Sequence, residues 1–143
     1  MKVSQLLETK GNEVSTISQE RSIADAIAVL KERSIGALVV TGAKAPLVGM
    51  FSERDVVRAL AVSGETALEQ KVADVMSRDV VTCTKSTELN ELMTTMTERR
   101  FRHIPVVEDE HLVGLVSIGD VVKARLDELE QDKRYLLDYV SGR

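Results

Sequence analysis

Two stretches of this chain, GMFSERDVV at 49–57 and GLVSIGDVV at 114–122, are the same phrase written 65 positions apart (114 − 49 = 65). The likeness extends well beyond the phrase. Ile23, Ala26, Ile27 and Leu30 fall at i, i+3, i+4 and i+7, the apolar stripe of an amphipathic helix. Leu89, Leu92, Met93 and Met96 repeat that stripe 66 positions later (89 − 23 = 66). Val14, Thr16 and Arg33 map onto Val80, Thr82 and Arg99 at the same offset. After a one-residue change in a loop, Leu47, Val48, Gly49, Ser52, Asp55, Val56 and Val57 recur as Leu112, Val113, Gly114, Ser117, Asp120, Val121 and Val122. Helical stripe, turn glycine and polar pair stay in step, so the chain is a tandem repeat.

Each unit reads as strand, helix, strand, strand, helix, which makes the fold α/β (α+β). VSTI and VVTC are short β-branched runs that open the two units. SIADAIAVLKERS and ELNELMTTMTERR are helices, the first introduced by a Ser22-x-x-Asp25 capping box. GALVV with PLVGMF, and RHIPVV with HLVGLV, read as strand pairs; SERDVVRALAV and SIGDVVKARLDEL close the units as helices. Residues 1–63 then hold an N-terminal helix and the first repeat, 64–71 a linker, 72–125 the second repeat and 126–143 a helical extension. A unit of roughly 50–60 residues is marginal alone, so the lobes are expected to pack as a pseudo-twofold pair. Val122, Leu126, Leu129, Leu136 and Val140 form a heptad-like seam interrupted by Lys133. That seam either packs on the N-terminal VSQLL helix or makes a homodimer contact.

Composition narrows the function. A formal charge of −4, from 19 Lys+Arg against 23 Asp+Glu, argues against a general nucleic-acid surface. Any anion must be held by local donors. One cysteine, Cys83, excludes an internal disulfide and a multi-thiol metal site. The two histidines, His103 and His111, do not suggest a metal site, and no nucleophile–base–orienter set can be read. No signal peptide or membrane-length apolar run is present, so the expected compartment is the cytoplasm and no membrane partner is expected.

The repeated Ser-x-x-Asp has two compatible readings. Serine is a preferred N-cap, and an acid at the third helical position suits the positive end of the helix dipole. A strand-to-helix turn also presents free backbone N–H groups that favour phosphate, while a carboxylate can accept both hydroxyls of a ribose diol. The counter-charges are placed unequally. Arg54 precedes Asp55, but Gly119 precedes Asp120; ahead of the paired strands, Gly36-Ala37 in the first copy faces Arg102-His103 in the second. Lobes related by a pseudo-twofold axis could bring Arg54 and Arg102 to one cleft, where planar guanidinium forks suit phosphate. Arg99 and Arg100 read instead as a solvated helix end. His103 reads either as a phosphate donor or as a strand-edge imidazole with a local partner.

The duplicated unit, clearest in RHIPVV…HLVGLVSIGDVV, closely resembles the CBS domain, and two in tandem resemble the CBS pair or Bateman module of stand-alone bacterial proteins. The resemblance covers about residues 14–125. It implies a regulatory, non-enzymatic module that binds an adenine nucleotide (AMP, ADP, ATP or NAD(H)) and signals to a protein partner. By that resemblance Asp55 and Asp120 hold ribose hydroxyls, and Ser52 and Ser117 contact phosphate or sugar. Arg54, Arg102 and His103 reach phosphate. The adenine is expected between apolar side chains and read by backbone groups, supplied by position from Thr16 and Ile17, Ala37 and Leu38, Thr82 and Cys83, and Ile104 and Pro105. Cys83 also reads as a buried, inert thiol. Gly119 and Gly36 depart from the pattern and imply two unequal sites. The competing class is a docking module that needs no small ligand.

Overall fold

The computed structural model describes residues 1–142, and its elements run in the repeated order. They are α1 (Val3–Lys10), β1 (Thr16–Ser18), α2 (Ile23–Arg33), β2 (Ala37–Thr41), β3 (Gly49–Ser52) and α3 (Glu53–Ser63). A 3-10 segment (Gly64–Glu69) and α4 (Val72–Val75) lead to α5 (Leu89–Arg99), β4 (His103–Glu108), β5 (His111–Ser117) and α6 (Ile118–Val140). Among the described residues no helix is long and apolar enough to cross a membrane.

In the first lobe β1 pairs parallel with β2, and β2 antiparallel with β3. Their inner faces meet the apolar stripe of α2, so Ile17, Ile23, Ala26, Leu30, Leu38, Val40 and Phe51 share one core. Ser22 caps α2 by accepting the Asp25 N–H at 3.1 Å. The other half of the expected box is diverted, because the Asp25 carboxylate receives Arg21 Nε at 2.9 Å. Both stripe helices end in a left-handed residue at equivalent positions, Ser34 (φ 52°) and Arg100 (φ 59°).

The second lobe departs from the expectation in one element. VVTC forms no strand; only Cys83 bridges to Val106, beside the antiparallel β4–β5 pair. The cause is visible in the first copy, where Val39 N–H donates to Ser15 O at 3.1 Å. The residue equivalent to Val39 is Pro105 (105 − 39 = 66), which has no N–H to give. Two bonds survive, Cys83 N to Pro105 O at 3.0 Å and Val107 N to Cys83 O at 2.9 Å.

The lobes are tied by exchanged helices. Lys2-Val3…Leu6-Leu7 and Lys71-Val72…Val75-Met76 are equivalent at an offset of 69 (72 − 3 = 69), one leading each repeat. The helix ahead of the first repeat buries Val3, Leu6 and Leu7 in the second lobe's core, with Leu89, Ile104, Val116 and Val121. The helix ahead of the second repeat buries Val72 and Met76 in the first lobe's core. Each such side chain contributes about 1.5–3 kcal/mol relative to exposure. Backbone bonds fasten α1 further, from Val3 N to Thr87 O at 3.0 Å and Leu89 N to Met1 O at 2.8 Å. The stretch between the repeats is no loose linker: it coils as a 3-10 turn whose Ala67 is fully buried in the first core.

The equivalent glycines of the repeated phrase sit under these exchanged helices. A Cβ on Gly49 would meet Met76 Sδ and the Ser77 carbonyl oxygen at 2.7 Å; one on Gly114 would meet the Leu7 methyls at 2.9 and 3.0 Å. α6 buries Val121 and Ala124 in the second lobe and then runs on without cover. Leu126, Leu129, Leu136 and Val140 are exposed, Val140 by 82%. The tail therefore does not pack on VSQLL, whose apolar face already lies in the second core.

The two glycines should respond differently to alanine. Gly49→Ala forces backbone oxygen to move and is expected to cost about 2 kcal/mol. Gly114→Ala meets only the ends of a flexible leucine and should cost less than about 1 kcal/mol. Urea denaturation of both variants checks the order; equal losses would contradict it.

Candidate functional site

The two Ser-x-x-Asp turns have the same local construction. Asp55 Oδ2 accepts the Ser52 N–H at 2.8 Å and lies 3.3 Å from Ser52 Oγ. Asp120 Oδ2 accepts the Ser117 N–H at 2.8 Å, and Ser117 Oγ accepts the Asp120 N–H at 3.2 Å. Each carboxylate thus caps its own helix. Asp55 is 9% exposed, and its Oδ1 carries no protein hydrogen bond among the described residues.

Each turn opens onto a cleft completed by the other repeat. In the first cleft Ser52, Arg54, Asp55 and Arg58 of the first repeat face Val80, Val81, Arg100, Phe101, Arg102 and His103 of the second. In the second cleft Ser117 and Asp120 face Ser15, Ile35, Gly36 and Ala37, with Lys10 added from α1. The two have similar volumes, about 210 and 270 Å³. They differ in charge. A central depression joins them, sharing Arg54, Arg102 and His103 with the first and Gly36, His103 and Ser117 with the second. Arg54 and Arg102 do line one cleft together.

Arg54, Arg58, Arg100 and Arg102 all border the first cleft, and none is in an ion pair among the described residues. Arg58 follows Arg54 by four residues and so shares its face of α3. Arg100 is exposed, as expected of a solvated helix end, and also borders the cleft at the left-handed residue that ends α5. Arg99 pairs with Asp79 at 3.7 Å and lies over the Phe101 ring. In the second cleft Lys10 Nζ reaches Asp120 Oδ2 at 2.5 Å and also donates to Leu115 O. Burial works to raise the Asp120 carboxyl, but the Lys10 ammonium and the Ser117 bonds outweigh it and hold the group below its ordinary value. Burial, with Lys10 and Arg102 nearby, holds His103 below its ordinary value.

This pairing of repeats agrees with comparison to known proteins. The family profile described as CBS domain matches residues 4–62 and 72–127. The chain is a tandem CBS-domain protein. It is 33% identical to the mitochondrial CBS domain-containing protein CBSX3 of Arabidopsis thaliana, over 98% of this chain and 72% of that protein. Among solved structures it resembles the CBS-domain protein ATU1752 of Agrobacterium tumefaciens, at 45% identity and TM-score 0.83, covering 87% of this chain and 92% of that one. The CBS domain pair of MJ0100, solved with 5′-methylthioadenosine and S-adenosyl-L-methionine, shares the fold at 23% identity and TM-score 0.76, covering 87% and 98%.

Of the residues singled out in sequence, Ser52, Arg54, Asp55, Arg102 and His103 meet in the first cleft of the CBS pair, and Ala37, Ser117 and Asp120 in the second. Thr16, Ile17, Leu38, Thr82, Cys83, Ile104 and Pro105 line neither cleft. The pleat explains most of this. Ala37 and His103 begin strands at the cleft edge, so Leu38 and Ile104, one residue on, turn into the lobe cores and are fully buried. The apolar walls come instead from residues just ahead of the strands, Ile35 in one cleft and Phe101 in the other, with Val80 and Val81. Lys10 lies on α1, ahead of the repeated strands and helices, and its counterpart at the helix offset of 69 is the acid Asp79, so comparing the copies does not mark it as a cleft cation.

Among the described residues no cluster of three or more His, Cys, Asp or Glu is arranged for a metal ion. Cys83 is buried in the second core, and burial, aided by Glu108 and Glu91, pushes its thiol up to about 11. At pH 8 only about one thiol in a thousand is then ionised. An aromatic disulfide reagent should react slowly with the folded protein and quickly in denaturant; fast reaction of the folded chain would contradict the burial.

Proposed function

We propose that this CBS pair is a regulatory adenine-nucleotide sensor, one that binds its ligand between the repeats and passes occupancy to a protein partner. The observation that carries the reading is the composite clefts, each taking Ser-x-x-Asp from one repeat and a strand-leading segment from the other. A ligand there touches both lobes. It therefore favours one arrangement of the lobes over others, and a partner that distinguishes arrangements reads the ligand.

The first cleft has the parts a nucleotide requires. Asp55 offers a carboxylate oxygen to a ribose diol, Phe101, Val80 and Val81 offer apolar surface to a base, and four unpaired arginines offer forks to phosphate. Their number favours a di- or triphosphate, or the pyrophosphate of NAD(H), over AMP in this cleft. The second cleft has fewer cations and suits a nucleoside monophosphate or the far end of a dinucleotide laid through the central depression. That the same fold holds adenosine-bearing ligands in MJ0100 supports its capacity for such a guest. Nothing in the reading calls for catalysis.

Binding should be visible by calorimetry with AMP, ADP, ATP and NAD(H). Asp55→Ala is expected to weaken first-cleft binding about 10- to 100-fold, the loss of hydrogen bonds to a charged acceptor. Arg54→Ala should weaken ATP more than adenosine. Failure of every adenine nucleotide to bind would overturn the sensor reading and leave the docking module.

The uncovered tail of α6 supports a second copy of the chain as a partner. A helix end exposed from residue 131 to 142 lacks the packing that normally stabilises one, and its leucines keep a heptad-like spacing. The full chain is expected to sediment as a dimer, and a chain cut after Leu126 as a monomer. An unchanged dimer mass after the cut would remove α6 from the interface.

A further inference from the structure

The second cleft contains a cation supplied by α1, the helix ahead of the first repeat's strands. Lys10 closes the last turn of α1, one residue before Gly11, whose φ of 100° ends the helix. Its ammonium spends two of three protons on the protein, donating to Asp120 Oδ2 at 2.5 Å and to Leu115 O. In the first cleft the carbonyl equivalent to Leu115 O is that of Met50 (115 − 50 = 65), and it accepts the backbone N–H of Ser77 at 2.9 Å. No side chain is needed there, and no cation sits on Asp55. At the helix offset of 69 the first-cleft counterpart of Lys10 is Asp79 (79 − 10 = 69), which pairs with Arg99. The two clefts are thus built alike and closed differently.

Asp120 Oδ2 already accepts Ser117 N–H. Oδ1 of each aspartate carries no protein hydrogen bond among the described residues, so either carboxylate can take one ribose hydroxyl; the second hydroxyl of a diol meets the Lys10 ammonium at Asp120 Oδ2, whereas among the described residues no cation sits on Asp55 Oδ2. We propose that Lys10 is a lock on the second cleft: a ribose diol that takes both oxygens of Asp120 displaces the ammonium from Oδ2, and this frees the last turn of α1. The idea rests on the nucleotide reading above and goes beyond it, because it orders the two clefts and names the segment that reports the second. The first cleft fills without moving α1. The second couples binding to a helix whose other end is fastened in the second core through Val3, Leu6 and Leu7. Release is therefore confined to the turn around Lys10 and the Gly11 hinge, and the rest of α1 stays in place.

The test uses the full chain in an Asp55→Asn background, which silences diol binding in the first cleft, with AMP as the probe. Lys10→Met keeps the aliphatic stem and removes the charge. It is expected to tighten AMP binding about tenfold, the scale of a charge-assisted hydrogen bond no longer in competition, and Asp120→Asn should abolish the gain. Saturating AMP on the chain with Lys10 intact should speed amide exchange at residues 8–12 and leave 3–7 protected. Weaker AMP binding in Lys10→Met would make Lys10 a phosphate ligand, and unchanged affinity would make it a strut for Leu115; either overturns the lock. The chain with Asp55 intact, titrated in parallel, separates the two ideas. Binding there with no Lys10 effect sinks the lock alone, while no binding in any variant sinks both.

Discussion

The exchange of leading helices is the constraint on which the rest of this molecule depends. Neither repeat completes its own core: the helix ahead of each one fills the apolar face of the other, Val3, Leu6 and Leu7 in one direction and Val72 and Met76 in the reverse. The approach is close enough that Gly49 and Gly114 have no free room for a side chain. Units of this size bury too little surface to be stable singly. The exchange makes one cooperative object of two marginal ones, and it sets the two Ser-x-x-Asp turns against the partner repeat.

From that geometry follows the inter-repeat character of the clefts. A motif that merely capped its helix would be satisfied anywhere on the surface. Here the same carboxylates that receive a backbone N–H at their own helix also border the strand-leading segment of the other lobe. Capping uses Oδ2 and leaves Oδ1 of Asp55 without a protein partner among the described residues, so the structural role does not preclude the binding role proposed for the same side chain. A ligand seated there interacts with both lobes, and its differential affinity for lobe arrangements is the physical basis of any signal.

Much of this was legible in the chain itself, because a repeat allows each copy to check the other. The stripe from Ile23 to Leu30 and its echo from Leu89 to Met96 gave both core helices, and the repeated phrase gave the strand-to-helix turn with its serine and aspartate. The strand at VVTC was misread because the residue that prevents it, Pro105, lies on the partner strand, where a missing N–H matters only once the pairing register is known. The sequence also does not show that Leu38 and Ile104 lie away from the clefts, for a similar reason. Alternation shows that Leu38 and Ile104 differ in facing from their neighbours, but not which facing is the cleft. That Arg100 borders the cleft is visible only in the packing of the two lobes, not in the sequence.

The differences between the copies matter as much as the likeness. Among the described residues the first cleft keeps four arginines free of ion pairs and an aspartate that no cation covers; the second has Gly119 and Gly36 where such cations would stand, and a lysine borrowed from α1. Two sites of equal character would report only the concentration of one ligand. On the sensor reading proposed above, unequal charge at similar volume would let the clefts neutralise different numbers of phosphates, so their relative occupancy would depend on which nucleotide is abundant as well as on how much is present. A duplicated fold gains that discrimination through a handful of substitutions at its cleft edges, because the cores and the exchanged helices that hold the clefts together are untouched by them.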